Sequence, residues 1–568
     1  MPLLPHSNAN DLKIDTVWVK VTGSISSTEY PWGRCSIVPR SVYSELESSG
    51  AIVYNRSRVR DTRDLSSALS HLPSGHAQKS FVREHQNPLD VGKLQASRKM
   101  HQHKYAVNSG VEAIVCPETT MELFEDGLFR ANHLNSPDDT THDPNIGCLV
   151  DSMSDESMDE TELADELFGS NTNFHPDIGR YSALYAGHVA TGDFRENGSS
   201  GGVATWLLVK LLESDLIDGV IHLRESSEGD SVLFRYAIST TVEEIKRGAK
   251  SRYYPGEMSD TLKQAIQDGS RYAITGIPSF ITEVRLLAKV MPEIAESIKF
   301  YVGLICGHQK SAKYAEALAW QYGISPGNLH SIDFRKKNPG GRASQYLLEM
   351  TGKTKDGVQT ITKPASEPFV GHWGHGFFKP VFSDFTDDAL NETADVALGD
   401  AWLPEYDIDG NGNNIVIVRN RSLLKLFEEG IRLGDLRLDV IDEDTVIQSQ
   451  RGLIHHTREE IGYRLHKADS NGEWRPQKRI PASDDLPFLR RRVQDIRQAI
   501  AETSHSAYQK AVAADDWTLF ENEMRPLVQQ YRFWYFCIRV TTLTPRKVFG
   551  KFRSIYDHRL RDKFIRAR

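Results

Sequence analysis

Apolar and polar positions change their period several times along the chain, and each change marks an element or a boundary. From Asp11 to about Tyr54, alternating runs such as Thr16-Val-Trp-Val-Lys-Val-Thr and Gly50-Ala-Ile-Val-Tyr predict strands. Residues 55–105 are polar, rich in Ser, Arg, His and Gln, and aperiodic, which reads as a linker or short surface helices. Residues 151–166 carry eight acids and no base, the composition of a solvated, mobile boundary segment.

Beyond that run, strand-like and helix-like patterns alternate. Tyr181-Ser-Ala-Leu-Tyr-Ala-Gly-His-Val-Ala reads as a strand, a Gly/Ser turn follows at 197–202, and Val203 to Glu213 reads as a buried helix. Asp218-Gly-Val-Ile-His-Leu, Arg271-Tyr-Ala-Ile-Thr-Gly and Ile298-Lys-Phe-Tyr-Val-Gly-Leu-Ile-Cys are further strands. Between them lie a helix that Thr241 would cap and another from Pro278 to Val290. Ala394-Asp-Val-Ala-Leu-Gly and Asn414-Ile-Val-Ile-Val-Arg add two strands beyond Gly371. This alternation predicts an α/β fold: a mixed, partly parallel sheet with helices on its faces. Asp485 to Val512 and Trp517 to Val540 have the length of two long helices, hence a C-terminal helical hairpin.

Composition narrows the class. The 568 residues are 39% hydrophobic and 26% charged, which is ordinary for a globular chain, and the net charge is −9. An acidic balance argues against coating nucleic acid. No run reaches the ~18 apolar residues that span a bilayer, and the start, Met1-Pro-Leu-Leu-Pro-His-Ser, lacks a secretory pattern. A cytoplasmic location is expected. The final segment, 525–568, reverses the charge, with twelve Lys/Arg, two acids and interleaved aromatics. Such a tail suits a protein partner or a peripheral contact with an anionic membrane surface.

Three loops carry candidate chemistry. Asn197-Gly-Ser-Ser-Gly-Gly-Val precedes a helix, so its backbone amides and the helix N-terminus suit an anion, although a tight packing turn explains it equally well. Gly248-Ala-Lys-Ser-Arg-Tyr-Tyr supplies cations and aromatics. Thr275-Gly-Ile-Pro-Ser-Phe is a strand–loop–helix junction, where α/β ligands bind. Cys35, Cys116, Cys148, Cys306 and Cys537 are scattered without a CxxC, so they make neither a disulfide framework nor a recognisable metal site. His372 and His375 form an HxxH, with His455-His456 further on, and structural roles are the expected reading. Tyr406-Asp-Ile-Asp-Gly-Asn-Gly-Asn-Asn looks like the front of a calcium loop but lacks the closing Glu, and reads instead as a mobile loop able to cover a ligand.

Asn197-Gly-Ser-Ser-Gly-Gly-Val, Ser251-Arg-Tyr, Thr275-Gly-Ile-Pro-Ser, Gly303-Leu-Ile-Cys-Gly, Ile332-Asp-Phe-Arg-Lys-Lys and Ala394-Asp-Val-Ala-Leu-Gly-Asp-Ala-Trp occur in a recognisable order. From about Arg180 to Arg421 the chain resembles the beta-subunit family of the coenzyme F-420 (deazaflavin) hydrogenases and dehydrogenases. The resemblance implies an FAD-binding core in which Asn197, Gly198, Ser199, Ser200, Gly201 and Gly202 hold the FAD phosphates. It also implies that Ser251, Tyr253, Thr275, Gly276 and Pro278 line the flavin site. Lys250, Arg252 and Arg335 are then expected near the pyrophosphate or an anionic substrate, and Cys306 is a weak candidate for an active thiol.

The iron–sulfur motifs of that family are degenerate. Before Cys116-Pro117, residues Ala106, Ser109 and Glu112 stand where three cysteines belong, and only Cys148 remains in the region after it. Lys379 and Phe382 replace a later pair, and Ser279 replaces the Cys after the Thr-Gly-x-Pro turn. This argues against a 4Fe–4S cluster. The resulting organisation is a variable region at 1–105, a degenerate ferredoxin-like segment with acidic linker at 106–170, a flavin-binding core at 175–435, and a helical basic extension at 436–568. Two function classes remain open. One is an FAD-dependent oxidoreductase without clusters, moving a hydride between a small-molecule donor and an unidentified substrate. The other is a non-catalytic accessory protein of a surface-polysaccharide pathway.

Overall fold

The computed structural model describes residues 104–541, except 117–118, 133–151, 154–157, 170 and 228, together with three strands nearer the N-terminus. The chain forms two units, Met1–Pro88 and Leu89–Arg568. In the first, β1 (Thr16–Thr22), β2 (Ser36–Pro39) and β3 (Ile52–Asn55) form an antiparallel sheet in the order β2-β1-β3. The two alternating runs noted there are β1 and β3.

The second unit opens with two small hairpins, β4 (Thr120–Leu123) with β5 (Phe129–Asn132), and β6 (Asn173–His175) with β7 (Gly179–Tyr181). Its centre is an eight-stranded sheet built from β8 (Ala183–Val189), β9 (Gly219–Glu225), β10 (Phe234–Ser239), β11 (Tyr272–Gly276) and β12 (Ile298–Leu304). After an antiparallel excursion through β13 (Leu329–Lys336), β14 (Leu347–Thr354) and β15 (Gly357–Pro364), it is completed by β16 (Val396–Asp400), β17 (Asn414–Val418) and β18 (Leu436–Val440). The order is β10-β9-β11-β12-β16-β17-β8-β18. Strands β9, β11, β12 and β16 are mutually parallel, and the flanking pairs are antiparallel.

Period-two alternation sends successive side chains to opposite faces, and both faces are covered. Val220, Ala273, Val302, Val396 and Val416 pack with the helices α1 (Val203–Glu213) and α2 (Arg421–Leu433), including Trp206 and Phe427. Their neighbours Ile221, Ile274 and Tyr301 pack on the other side with Phe280 and Val284, of the helix Pro278–Val290. Thr241 caps its helix as expected, accepting from the Glu244 amide at 3.3 Å.

The sequence-based boundaries shift in two places. Strand β18 is an edge of the central sheet, so the core extends past residue 435. The acidic run is not a solvated, mobile segment where it is described. Glu160–Phe168 is a helix capped by Asp159, which accepts from the Glu162 amide at 2.8 Å, and Glu160 is buried. The cap and the buried Leu163 supply what the charge pattern conceals.

The expected C-terminal hairpin is present as α3 (Phe488–Ala514) and α4 (Trp517–Thr541); the remainder of the basic tail, 542–568, lies outside the described residues. Val493, Ile500, Tyr508, Phe520, Val528 and Tyr531 of the hairpin share one core with Phe334, Met350, Phe377 and Phe378. A fully buried side chain of this size contributes roughly 1.5–3 kcal/mol, against about 0–1 kcal/mol for a surface ion pair. Apolar burial therefore docks the hairpin. Among the described residues no helix is long and apolar enough to cross a membrane.

Gly187 fixes the spacing of β8 and β18. Its φ is +150°, and a Cβ there would lie 2.0 Å from the carbonyl oxygen of Arg437. Gly187→Ala is expected to destabilise the protein by about 3 kcal/mol, read as a lowered midpoint in chemical denaturation; an unchanged midpoint would show that this edge opens freely.

Candidate functional site

A cavity of about 270 Å³ opens at the carboxyl ends of the parallel strands, where Thr275 is the last residue but one of β11, Leu304 ends β12 and Leu398, Gly399 and Asp400 end β16. The strand order leaves this edge open, and the chain then covers it with loops. Asn391, buried at φ +57°, anchors the floor by donating from Nδ2 to the carbonyls of Gly276 at 2.9 Å and Leu304 at 3.2 Å.

Of the residues singled out from sequence, Gly198, Ser199, Ser200, Gly202, Lys250, Ser251, Arg252, Tyr253, Thr275, Arg335 and Cys306 all line this one cavity. The three loops therefore converge, and a hydrogen bond joins two of them: Ser199 Oγ accepts from the Ser251 amide at 2.8 Å. Asn197, Gly201, Gly276 and Pro278 do not line it. Asn197 donates to Asp193 at 2.9 Å, and Gly201 is packed where a Cβ would come within 2.6 Å of the Gly187 carbonyl. Gly276 is part of the floor, and Pro278 is the first residue of its helix.

The Gly/Ser loop delivers the N-terminus of α1. Its N-cap is Gly202 at φ +81°, with no side-chain cap. Asn414 Oδ1 takes the Val203 amide at 3.3 Å, which leaves the amides of Ala204 and Thr205, both lining the cavity, without a protein acceptor among the described residues. An anion at this end would take them. The glycines are required by the loop itself, since a Cβ on Gly202 would lie 2.5 Å from the Phe194 carbonyl.

The expected cations are partly engaged. Arg335 forms a bidentate pair with Asp400, both bonds 2.8 Å, and its guanidinium lies 4.3 Å from the Tyr346 ring centroid. It thus organises the wall and has a carboxylate already. Lys250 lies 3.2 Å from Asp333, and Arg252 lies 3.3 Å from Glu225 while stacking on Phe234. Cys306 donates to the His308 carbonyl at 3.4 Å, and burial pushes its thiol up to about 11. A thiol held protonated is a poor nucleophile. The calcium-like loop spends its carboxylates on arginines, Asp407 on Arg342 at 3.1 Å and Asp409 on Arg195 at 2.6 Å.

Sequence reasoning missed His308, Lys310, Trp373 and Asp400. His308 and Lys310 directly follow the Gly303-Leu-Ile-Cys-Gly stretch, and Trp373 lies inside the HxxH, so both motifs marked the wall without naming it. His308 stacks on Trp373 at 4.3 Å and Tyr253 lies 4.6 Å from the same ring. Lys310 is buried, donates to the Phe377 carbonyl at 2.7 Å, and has no carboxylate partner among the described residues. Burial, with Lys379 and Arg497 nearby, holds its ammonium well below the usual lysine range. His372 and His375 stack on each other at 4.5 Å, and among the described residues no three His, Cys, Asp or Glu groups converge as a metal site.

Two family models match in tandem. The N-terminal model of the coenzyme F420 hydrogenase/dehydrogenase beta subunit covers residues 184–263, and the C-terminal model covers 269–444. Residues 184–444 belong to the coenzyme F420 hydrogenase/dehydrogenase beta-subunit family. Every loop of the cavity falls within this beta-subunit segment, which ends inside the helix after β18 and so excludes the C-terminal hairpin. Among solved structures, a chain of the xenon-derivatised F420-reducing [NiFe] hydrogenase complex from Methanosarcina barkeri is similar at 19% identity, with a TM-score of 0.41. The match covers 54% of this chain and 98% of that one. No curated protein matches.

His222, beneath this beta-subunit cavity, offers a pH test. It is buried, bonds Ser239 Oγ at 2.8 Å, and burial lowers its pKa to about 3. The folded state therefore binds fewer protons than the unfolded one between about pH 6.5 and 3, so the stability is complete above pH 6.5 and is lost as pH falls through that window. His222→Gln is expected to lose about 2 kcal/mol less than wild type between pH 6.5 and 5. Parallel stability curves for the two proteins would contradict the neutral, buried ring.

Proposed function

We propose that this cavity binds FAD and that the chain is a flavin-dependent oxidoreductase that transfers a hydride between a diffusible small-molecule donor and a second substrate. One observation carries the reading: three separate loops of a beta-subunit core converge on the uncapped N-terminus of α1, beside an aromatic wall. The residues present fit such a cofactor. The amides of Ala204 and Thr205 and the Ser200 side of the loop would hold phosphate, and Tyr253, Trp373, Phe280 and Leu304 would face the ring system and exclude water. A bound flavin would supply two-electron hydride chemistry there. Lys310 Nζ, whose affinity for a proton burial lowers, is the group that would hold or release one beside the ring system.

The donor set for a 4Fe–4S cluster does not fit. Lys379 is buried in an ion pair with Asp384, Phe382 is buried in the apolar core, and Ala106 and Ser109 carry no ligand atom suited to iron. The reading is therefore of an enzyme reduced directly by a diffusible donor.

Purified protein is expected to show the oxidised-flavin spectrum and to release FAD on denaturation, with no broad iron–sulfur absorbance. Ser199→Ala, which removes the bridge to the Ser251 amide, is expected to weaken FAD binding by about tenfold in fluorescence titration, the scale of one lost hydrogen bond. A colourless protein that fails to bind added FAD would overturn the reading and leave the accessory role.

A further inference from the structure

The C-terminal hairpin turns a face outward that is both apolar and basic. Phe533 and Phe536 of α4 are 55% and 47% exposed, and Phe488, at the start of α3, is 63% exposed. Phe533, Phe536 and Val540 recur at three and four residues and so share one side of α4, and the exposed Arg532 and Arg539 run beside them. Trp534 joins the two helices at this end. Its ring lies 5.1 Å from Phe533 and 6.0 Å from Phe488, and the Arg492 guanidinium is 5.9 Å from its centre. A second cavity, of about 570 Å³, lies behind the His308–Trp373 wall, and Arg532, Phe536 and Arg539 border it on the solvent side.

Charge and apolar spacing continue in the sequence beyond α4. No Asp or Glu occurs between Met524 and Thr541, and residues 542–568 carry nine Lys/Arg against two acids, a net +7 in a chain whose total is −9. Phe549, Phe552, Tyr556, Leu560 and Phe564 are again three or four residues apart, with bases between them. At the open end of the hairpin, Asp484 and Asp495 are engaged by Arg491 at 3.1 Å and by Arg492 at 3.3 Å. Charge alone would suit any polyanion, and rings alone any apolar surface. Both together, interleaved along one stretch, match a boundary that is anionic outside and apolar beneath. A protein groove that took the rings would also bury the guanidiniums among them, at a desolvation cost. At a bilayer surface the rings sink while the long basic side chains reach back to the headgroups.

We propose that the outer face of α4, with the chain that follows it, binds the surface of an anionic lipid bilayer. Phe533 and Phe536 enter the boundary between headgroups and acyl chains, and Phe488 and Trp534 lie at its edge. Arg532, Arg539 and the bases beyond Thr541 meet the lipid phosphates. Either signal by itself gives only a weak attachment, and the two on one face reinforce each other. No described helix is long and apolar enough to cross a membrane, so the contact is peripheral. The hairpin lies outside the family-matched segment, so this attachment belongs to the C-terminal extension. It sets the second cavity beside the bilayer, and it does not depend on the flavin reading.

The test uses the full chain in a flotation assay with unilamellar vesicles of phosphatidylcholine, alone or mixed with phosphatidylglycerol, at low and high salt. Wild type is expected to bind the phosphatidylglycerol vesicles at least tenfold more tightly than phosphatidylcholine alone, and to bind them less as salt rises. Phe533→Ser combined with Phe536→Ser, both at exposed positions, is expected to weaken that binding at least tenfold while the circular dichroism spectrum stays at wild-type level. Lys547→Gln, Lys551→Gln and Arg553→Gln together are expected to weaken it several-fold and to flatten the salt dependence. Trp534 fluorescence, read as the difference from Trp534→Phe, is expected to shift to the blue on vesicles and to be quenched by brominated lipid. Absence of binding, equal binding to both kinds of vesicle, or an unquenched Trp534 would each overturn the proposal. Binding that needs the bases but stays at wild-type level in the phenylalanine variant would overturn it too, and would assign the face to an acidic protein partner. A colourless wild type that binds the vesicles as expected would refute the flavin reading alone.

Discussion

Lys337 is the interaction on which the cavity depends. Its ammonium, just beyond β13, donates to the carbonyls of Arg195, Ser200 and Asn411. These belong to the turn before α1, to the Gly/Ser loop and to the loop between β16 and β17. Three carbonyl oxygens aimed at one point repel one another unless a cation lies between them. Burial and the nearby Arg195 and Lys250 lower the Lys337 pKa to about 7, and the three carbonyls replace the water that the ammonium gives up. The loop around α1 is therefore held from outside, and its own residues are left to face a ligand. Arg195 reinforces the same junction, donating to the Gly412 carbonyl at 2.8 Å and to Asp409 at 2.6 Å.

A second constraint comes from charge buried between the core and the hairpin. Arg464 donates to the carbonyls of Asp384 at 2.7 Å and His456 at 2.8 Å and to Gln494 at 2.8 Å, while Glu460 gathers Arg490 and Gln494. Such a network is costly to desolvate, and removing one member strands the rest. Its value is in geometry: it fixes α3 against the segment 455–464 and so sets where Arg497 stands. Lys379 and Asp384 occupy the corner of this network that the resemblance would give to cysteine ligands. The buried Lys379–Asp384 pair there ties that corner into the network.

The sequence made much of this legible. Strands at 183–189, 219–225, 272–276, 298–304, 396–400 and 414–418 follow from their short, nearly continuous apolar runs, because both faces of the sheet are packed. The loop convergence was legible too, since α/β sheets bring strand ends together. Strands β10 and β18 were missed as short edge runs, although Leu436-Arg-Leu-Asp-Val alternates strictly. The state of Arg335 could not be read, because Asp400 is 65 residues away in the chain and only the fold joins them. Cys306 failed as a thiol candidate for a similar reason: burial sets its protonation, and burial is not a property of the motif. The acidic run misled because charge counts conceal a cap and a single buried Leu.

The wall between the two cavities shows why the hairpin matters to the core. His308 is fully buried, stacked on Trp373, with Lys310 and Trp373 at a 4.8 Å cation–ring distance on the same side. Positive charge presses on this wall from Lys310 on one side and from Arg497 on the other, yet His308 itself is held neutral by burial and by those same charges. Protonating it would place a further cation beside Lys310 and Arg497. The stack on Trp373 thus helps to bury the His308 ring between the two cavities, and Tyr531 of α4 lies 6.0 Å from the ring of His372 on the side of the hairpin.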